Sequence, residues 1–127
     1  MISAGDTFLM PCNSVRVKAH LWVVVTGPDS SQKLLVVSLT TLRPHSDPTI
    51  TLNAGDHPFV NRPTVVSYAD AMIVDVEYMS RAVVNGFAIS KQPLSSDVLT
   101  KIKDGFAKSP RTTNAIKVFI AKNSEGN

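Results

Sequence analysis

Two histidines, His20 and His57, are the side chains of this sequence best suited to acid–base chemistry. Histidine has an unperturbed pKa of about 6.5, so it can give or take a proton near neutral pH. His20 opens an apolar, β-branched run, and His57 follows Asp56 in a turn, where the carboxylate could orient the ring. Each has a structural alternative: a strand-end histidine bonded to a loop, and a solvated turn residue beside an aspartate that bonds backbone N–H groups.

A second group of side chains is suited to binding phosphate. Thr40 and Thr41 end an apolar segment, and a threonine hydroxyl can donate a hydrogen bond to a phosphate oxygen. Arg43 follows closely, and an arginine can bind a phosphate through two parallel hydrogen bonds. Lys18 and Arg62 are further cations that can follow a phosphate backbone. For each of these residues, an ordinary surface position without a ligand is the alternative.

The sequence lacks the motifs of several common enzyme classes. It has no Gly-rich phosphate loop, no His-Glu-x-x-His helix and no Gly-x-Ser-x-Gly turn. The single cysteine, Cys12, excludes an intramolecular disulfide, and no Cys/His cluster has the spacing of a zinc site. We therefore expect no metal and no cofactor. The lack of cysteine pairs also favours a reducing, cytoplasmic location.

Length and composition indicate a globular, soluble chain. The 127 residues match one ordinary domain, so we expect a single domain over 1–127 with a frayed tail at 123–127. No apolar run approaches the roughly 20 residues that a membrane-spanning helix needs. The chain has 13 Lys and Arg against 10 Asp and Glu, a small excess that permits a polyanionic partner without requiring one.

Short apolar segments separated by turn residues predict a mainly β structure. Residues 20–25 and 33–39 are nearly continuous apolar runs, which is typical of strands buried on both faces. The Gly-Pro-Asp-Ser-Ser turn between them predicts an antiparallel hairpin. The other predicted strands are 7–10, 49–52, and either one bent strand or two short strands over 63–68 and 71–74.

One helix is predicted over 96–108. Ser95 or Ser96 can cap its N-terminus, and Asp97 lies in the first turn, where the helix dipole favours a negative charge. Apolar residues then recur at helical spacing until a Ser-Pro pair ends the pattern. The apolar segment 115–121 fits a strand or a helix. Together these elements predict a small β-barrel with a C-terminal helix packed on it.

The order of these segments resembles the PemK/MazF family of toxins from type II toxin–antitoxin systems. That family opens with a Gly-Asp-apolar strand, matched by 5–9, and continues with a basic residue that leads into a Val-rich strand, matched by 18–25. Its third strand ends in a threonine pair, matched by 36–41. A later Val-Val strand that runs to an acidic residue is matched by 65–75, and the helix follows. The resemblance covers nearly the whole chain.

The resemblance implies an SH3-like barrel of five to seven strands that cuts single-stranded RNA without a metal. In such cleavage the ribose 2′-hydroxyl attacks the adjacent phosphate. The reaction needs a base for that hydroxyl, a cation or donor for the phosphorane charge, and an acid for the leaving oxygen. The resemblance also implies a homodimer and a cognate antitoxin, whose acidic tail would compete with RNA for a basic site.

The family pattern places the candidate residues in roles. His20 occupies the position of a functional arginine, and one of the paired threonines is implied to bind phosphate. If His20 and His57 converged, they would form an acid–base pair of the kind found in metal-free ribonucleases. The predicted catalytic residues are His20, Thr41 and His57, and the predicted substrate-binding residues are Lys18, Thr40, Arg43 and Arg62.

The sequence also departs from the family pattern. Some relatives carry an arginine and an aspartate, two residues apart, after the later Val-Val, and those places hold Ser67 and Ala69 here. Asp70 is adjacent, but neighbouring residues on a strand point to opposite faces, so it cannot be assumed to substitute. This loss supports an alternative function, a non-catalytic SH3-like barrel that binds a protein or nucleic acid. A third possibility is a structural or accessory protein of a mobile element, without a basic groove.

Overall fold

The computed structural model describes residues 1–11 and 19–125 of the chain. Cys12 and Lys18 lie outside the described residues. The described part contains six strands and three helices. In chain order they are β1 (Thr7–Pro11), β2 (Ala19–Thr26), β3 (Lys33–Thr41), β4 (Thr51–Leu52), β5 (Thr64–Asp75), α1 (Val76–Val84), β6 (Ile89–Lys91), α2 (Ser96–Lys108) and α3 (Asn114–Glu125).

The strands form one antiparallel sheet in the order β4-β5-β3-β2-β1-β6. Strands β1, β2 and β3 are a meander, since each pairs with the next in the chain. The sheet curls into a half-barrel. This confirms the predicted fold class, which is mainly β with a small SH3-like barrel of five to seven strands and a helix over 96–108.

The hairpin of β2 and β3 forms the centre of the sheet. Residues 34–39 are buried without interruption, so both faces of β3 are covered by other side chains. The turn that joins the two strands is fixed by Asp29. Its carboxylate accepts the backbone N–H groups of Ser31 and Lys33, each at 2.9 Å. The predicted hairpin is therefore confirmed, together with its burial on two faces.

Apolar side chains form two layers, one on each face of the sheet. Val23 and Val24 belong to different layers, as the two-residue period of a strand requires. The first layer packs against α2 and α3, and the second packs against α1. The first includes Val23, Leu35, Val37, Tyr68, Ile102, Phe106 and Ile116, and the second includes Phe8, Val24, Leu34, Val36, Met79 and Ala82.

Helix α2 begins at its predicted cap and packs very closely on the sheet. The Ser95 hydroxyl accepts the backbone N–H of Val98 at 3.3 Å, which makes Ser95 the N-cap. A glycine inside a helix lowers its stability by about 1 kcal/mol relative to alanine. Close packing against the sheet explains the glycine at position 105, because a Cβ there would lie 1.8 Å from the Tyr68 hydroxyl oxygen and 2.5 Å from Ile50 Cγ1. The glycine therefore allows a contact between α2 and β5 that any side chain would block.

The structure resolves the segments that the sequence left open. Residues 115–121 belong to α3, because Ile116, Phe119 and Ile120 repeat at helical spacing and face the first apolar layer. Helix α3 extends to Glu125, inside the segment expected to be frayed. The predicted strands 63–68 and 71–74 are one long bent strand, β5. No helix in the described part of the chain is both long and apolar enough to cross a membrane.

Candidate functional site

Three of the predicted site residues meet at one end of the sheet. In the β2–β3 pairing Leu21 lies opposite Leu39, so the neighbouring residues His20 and Thr40 reach the same sheet end. In the β3–β5 pairing Thr41 lies opposite Thr64. We call this end of β2, β3 and β5 the strand-end site.

His20, Thr40, Thr41 and Arg62 line one cavity of about 320 Å³ at the strand-end site. We call it the His20 cavity. His20 and the two threonines are half-buried, whereas Arg62 is exposed. The cavity therefore places an imidazole, two hydroxyls and a guanidinium around one space. Those groups can exchange a proton, donate to an anionic oxygen and balance its charge.

A second cavity, of about 710 Å³, shares Thr40 and Thr41 with the first. We call it the Arg43 cavity, because it contains the predicted Arg43. Its other polar lining residues are His45, Ser46, Asp47, Ser67, Asp70 and Arg111. The four predicted residues Thr40, Thr41, Arg43 and Arg62 thus lie around two cavities that meet at the threonine pair. Lys18, the remaining predicted substrate-binding residue, lies outside the described residues.

His57 does not join this group. Only 4% of its surface is exposed, and it is absent from the lining of the His20 cavity. Its Nδ1 accepts the backbone N–H of Phe59 at 3.0 Å, so in the neutral ring the proton belongs on Nε2. That nitrogen donates to the backbone carbonyl of Gln92 at 2.5 Å. The expected convergence of His20 and His57 is not observed, and both nitrogens of His57 are occupied within the protein.

The position of His57 gives it a different use, which is to hold a wall of the His20 cavity. Residues 58–62 form that wall. Besides the contact with Phe59, the backbone carbonyl of His57 accepts the N–H of Val60 at 2.9 Å. On its other side, Thr7 on β1 donates its hydroxyl to the same Gln92 carbonyl at 2.8 Å. His57 therefore connects the wall to β1 and the segment before α2, and acts as a positioning residue.

The Arg43 cavity is bordered by a buried polar network that the sequence did not reveal. Asp47 is 6% exposed and Ser109 is 3% exposed. The Ser109 hydroxyl donates to Asp47 Oδ2 at 2.5 Å, and Thr49 donates its backbone N–H to Asp47 Oδ1 at 3.0 Å. Burial raises the pKa of Asp47, but the hydrogen bonds from Ser109 and Thr49 and the charge of Arg111 outweigh it and hold this pKa below its ordinary value.

The same network positions Arg111. The backbone N–H of Arg111 donates to the Ser109 hydroxyl oxygen at 3.1 Å, and its guanidinium donates to the carbonyl of His45 at 3.2 Å. Arg111 follows α2 in the sequence, far from Arg43, so only the three-dimensional structure brings the two arginines to one cavity. The available sequence signal was the Ser-Pro-Arg stop after α2, which predicts a helix end and not a binding site.

Asp70 reaches the Arg43 cavity because β5 is irregular. Ser38 pairs with Ser67 and Val36 pairs with Met72, so one residue of β3 faces four residues of β5, 68–71. Such a bulge interrupts the regular alternation of side chains. The Ser67 hydroxyl donates to Asp70 Oδ2 at 2.6 Å, and both residues line the cavity. Strand alternation alone was therefore not a valid reason to set Asp70 aside.

The described residues offer no obvious place for a metal ion. Across residues 1–11 and 19–125, no three His, Cys, Asp or Glu side chains come together in a way that could hold one.

A scan against protein-family models finds no match for this chain, and a search of curated proteins finds none either. The functional assignment therefore rests on the residues of the strand-end site.

Proposed function

We propose that this chain is a PemK/MazF-like toxin that cuts single-stranded RNA without a metal, and that His20 is its central catalytic residue. The observation that carries the proposal is the lining of the His20 cavity, where His20, Thr40, Thr41 and Arg62 surround one space. These are the group types that cleavage by the ribose 2′-hydroxyl requires. The order of sequence motifs adds support, since it places His20 where the family has a functional residue.

In the proposed reaction the 2′-hydroxyl loses its proton and its oxygen bonds to the adjacent phosphorus. The bond from phosphorus to the 5′-oxygen of the next nucleotide then breaks, and that oxygen takes up a proton. The products are a 2′,3′-cyclic phosphate and a 5′-hydroxyl. His20 exchanges one of these protons, and a positioned group of this kind typically contributes about 10²–10⁴-fold. The Thr41 hydroxyl stabilises the charge on the phosphorane oxygens, and the Arg62 guanidinium binds the substrate phosphate.

The proposal includes two protein partners. A second copy of the chain would form a homodimer, and an antitoxin with an acidic segment would occupy the cation-lined strand-end site and exclude RNA. Arg62 is exposed at the His20 cavity, where an acidic segment could pair with it.

The test is cleavage of a long, largely single-stranded RNA by the purified protein in EDTA. We expect discrete cuts that end in 2′,3′-cyclic phosphate, and a loss of at least about 100-fold in rate for His20→Ala. Lys117→Ala, which removes an exposed cation on α3, is the control and should cut at the wild-type rate. Cuts that persist at full rate in His20→Ala would keep the enzyme class and remove His20 from the catalytic role.

A non-catalytic SH3-like barrel that binds RNA or protein is the second candidate. One observation favours it: among the described residues, His20 is the only acid–base group in the lining of its cavity. The reaction needs both a base and an acid, and the second one would have to come from elsewhere. A folded protein that makes no cuts at any concentration, yet binds RNA, would establish this function instead.

A further inference from the structure

We propose that the Arg43 cavity is a nucleotide subsite, in which Arg43 and Arg111 bind a phosphate and Asp70 reads the base. This inference rests on the proposed function, because it assigns the nucleotide next to the one cleaved in the His20 cavity. The two cavities share Thr40 and Thr41, so a single strand can pass from one to the other over the threonine pair. The volume of about 710 Å³ falls in the range of small-ligand sites, roughly 300–1,000 Å³.

The phosphate side of the subsite is formed by two arginines from distant parts of the sequence. Arg43 lies in a turn held by Ser46, whose hydroxyl oxygen accepts the Arg43 backbone N–H at 2.9 Å. The backbone of Arg111 is tethered through the buried Asp47 and Ser109, and its guanidinium donates to the His45 carbonyl at 3.2 Å. A tethered guanidinium loses less conformational freedom when it binds, and guanidinium groups match the geometry of phosphate oxygens. These contacts therefore hold Arg111 in place before a ligand binds.

The base side is formed by Asp70 and Ser67. One lone pair of the Asp70 carboxylate is taken by the Ser67 hydroxyl, which fixes the orientation of the group. Asp70 is exposed, so its remaining lone pairs can accept hydrogen bonds from a ligand. Exocyclic amino groups of adenine, cytosine and guanine are donors of the kind that an aspartate accepts, and uracil has no amino group.

The mixed charge of this cavity distinguishes a nucleotide from other anionic ligands. Asp47 is buried and its oxygens accept hydrogen bonds from Ser109 and Thr49, whereas Asp70 presents its carboxylate to the solvent. An acidic peptide would be repelled by that carboxylate. A nucleotide carries a phosphate for the arginines and base donors for Asp70, so it complements both signs.

The test measures binding separately from cleavage. The probe is a set of four labelled RNA pentamers of 2′-O-methyl nucleotides, in a uridine background with A, C, G or U at the centre. They retain phosphates and bases but lack the attacking hydroxyl. Dissociation constants are measured over a range of KCl concentrations for the wild type, Arg111→Ala, Asp70→Asn and the control Lys117→Ala. Circular dichroism establishes that each variant is folded, and Arg111→Gln replaces Arg111→Ala if the latter is not.

We expect the wild type to prefer at least one amino-bearing base over uracil. Arg111→Ala should weaken the binding of all four pentamers about tenfold and lower the slope of log affinity against log salt by about one. Asp70→Asn should leave that slope largely unchanged and reduce the base preference about tenfold. Arg111→Ala behaving like Lys117→Ala would overturn the proposal, and so would an unchanged base preference in Asp70→Asn.

The two proposals fail in different ways. Cleavage of RNA by the wild type, with binding that Arg111→Ala does not alter, would leave the nuclease and remove this subsite. Binding with the expected base preference, without any cleavage, would leave the subsite and remove the nuclease. Preferred binding of an acidic peptide at the Arg43 cavity, in competition with the pentamers and with loss in Arg111→Ala, would replace the nucleotide by a protein ligand.

Discussion

His20 and His57 occupy two regions that differ in almost every physical respect. His20 is half-buried at the open strand end, beside two threonines and an arginine in one cavity. His57 is buried, and its ring joins the wall segment to the backbone carbonyl of Gln92. Both histidines were candidates for the same chemistry, His20 from its place at the start of a strand and His57 from its turn beside Asp56. In the described part of the chain, both ring nitrogens of His57 are bonded within the protein, whereas His20 lines an open cavity.

The comparison shows how a site can be open on one side and fixed on the other. The open side consists of side chains on strand ends and loops that line the two cavities. The fixed side consists of short buried networks around His57, Asp47 and Tyr68, each of which ties two distant segments together. We therefore expect substitutions on the open side to change function with little effect on stability. On the fixed side, they should lower stability first.

The largest stability effect is expected for His57→Ala. This substitution leaves the backbone N–H of Phe59 and the Gln92 carbonyl without their ring partner and also creates a small void. Such a change should lower the free energy of unfolding by about 2–4 kcal/mol. The measurement is the urea midpoint at neutral pH, with His20→Ala as the control, expected within about 0.5 kcal/mol of the wild type. Equal losses of unfolding free energy in His57→Ala and His20→Ala would contradict the distinction between a fixed and an open side.

The contact of Gly105 with Tyr68 provides the next test of the fixed side. Gly105→Ala would normally strengthen a helix by about 1 kcal/mol. Here the new Cβ would lie 1.8 Å from the Tyr68 hydroxyl oxygen, which also donates to the Ile102 carbonyl. We expect a net loss of about 1–3 kcal/mol from this overpacking. Thr100→Ala, at an exposed position of α2, is the matched control, and a stabilised Gly105→Ala would show that the helix can move away.

Acid sensitivity tests the network of Asp47. Its pKa is held below the ordinary value, so its contribution to stability is complete above the unfolded-state pKa, about 3.9, and is lost as the pH falls through the lower native value. Asp47→Asn should lower the free energy of unfolding by about 1 kcal/mol at pH 6. The difference in this free energy between the variant and the wild type should become smaller towards pH 3. Urea midpoints at both pH values test this, with Asp104→Asn as the exposed control. A difference in unfolding free energy that is the same at both pH values would contradict the lowered pKa of Asp47.

The sequence predicted those parts of the fold that depend on local patterns. The central hairpin follows from two apolar runs around a Gly-Pro turn, and α2 follows from its cap at Ser95 and its apolar spacing. Helix α3 was left open because a short apolar segment fits either period. The bulge of β5 was not predicted, since it depends on pairing with β3 and leaves no pattern of its own.

The candidate site was predicted in part, and the reason lies in its construction from distant segments. His20, Thr40 and Thr41 end paired strands, so strand prediction was enough to bring them together. Arg111 was missed because its place depends on the contact between the α2–α3 turn and the loop after β3, and Asp70 was set aside because the bulge was not foreseen. His57 was assigned to chemistry from its neighbour Asp56, whereas its actual partners lie at distant positions that local sequence does not identify.

The smallest effect, on RNA binding, is expected for Arg62→Ala. This variant tests whether Arg62 only binds substrate or also takes part in the reaction. Arg62 is exposed, and within the described residues its side chain donates to its neighbour Asn61 alone, from Nε at 3.3 Å, so binding a phosphate must first order an exposed side chain. We expect RNA binding to weaken about threefold, less than for the tethered Arg111, with the salt slope lower by about one. The measurement is the same pentamer titration, with Lys117→Ala as the control. A loss as large as that of His20→Ala in the cleavage assay would instead place Arg62 in the reaction itself, and the wall held by His57 would then belong to the catalytic centre.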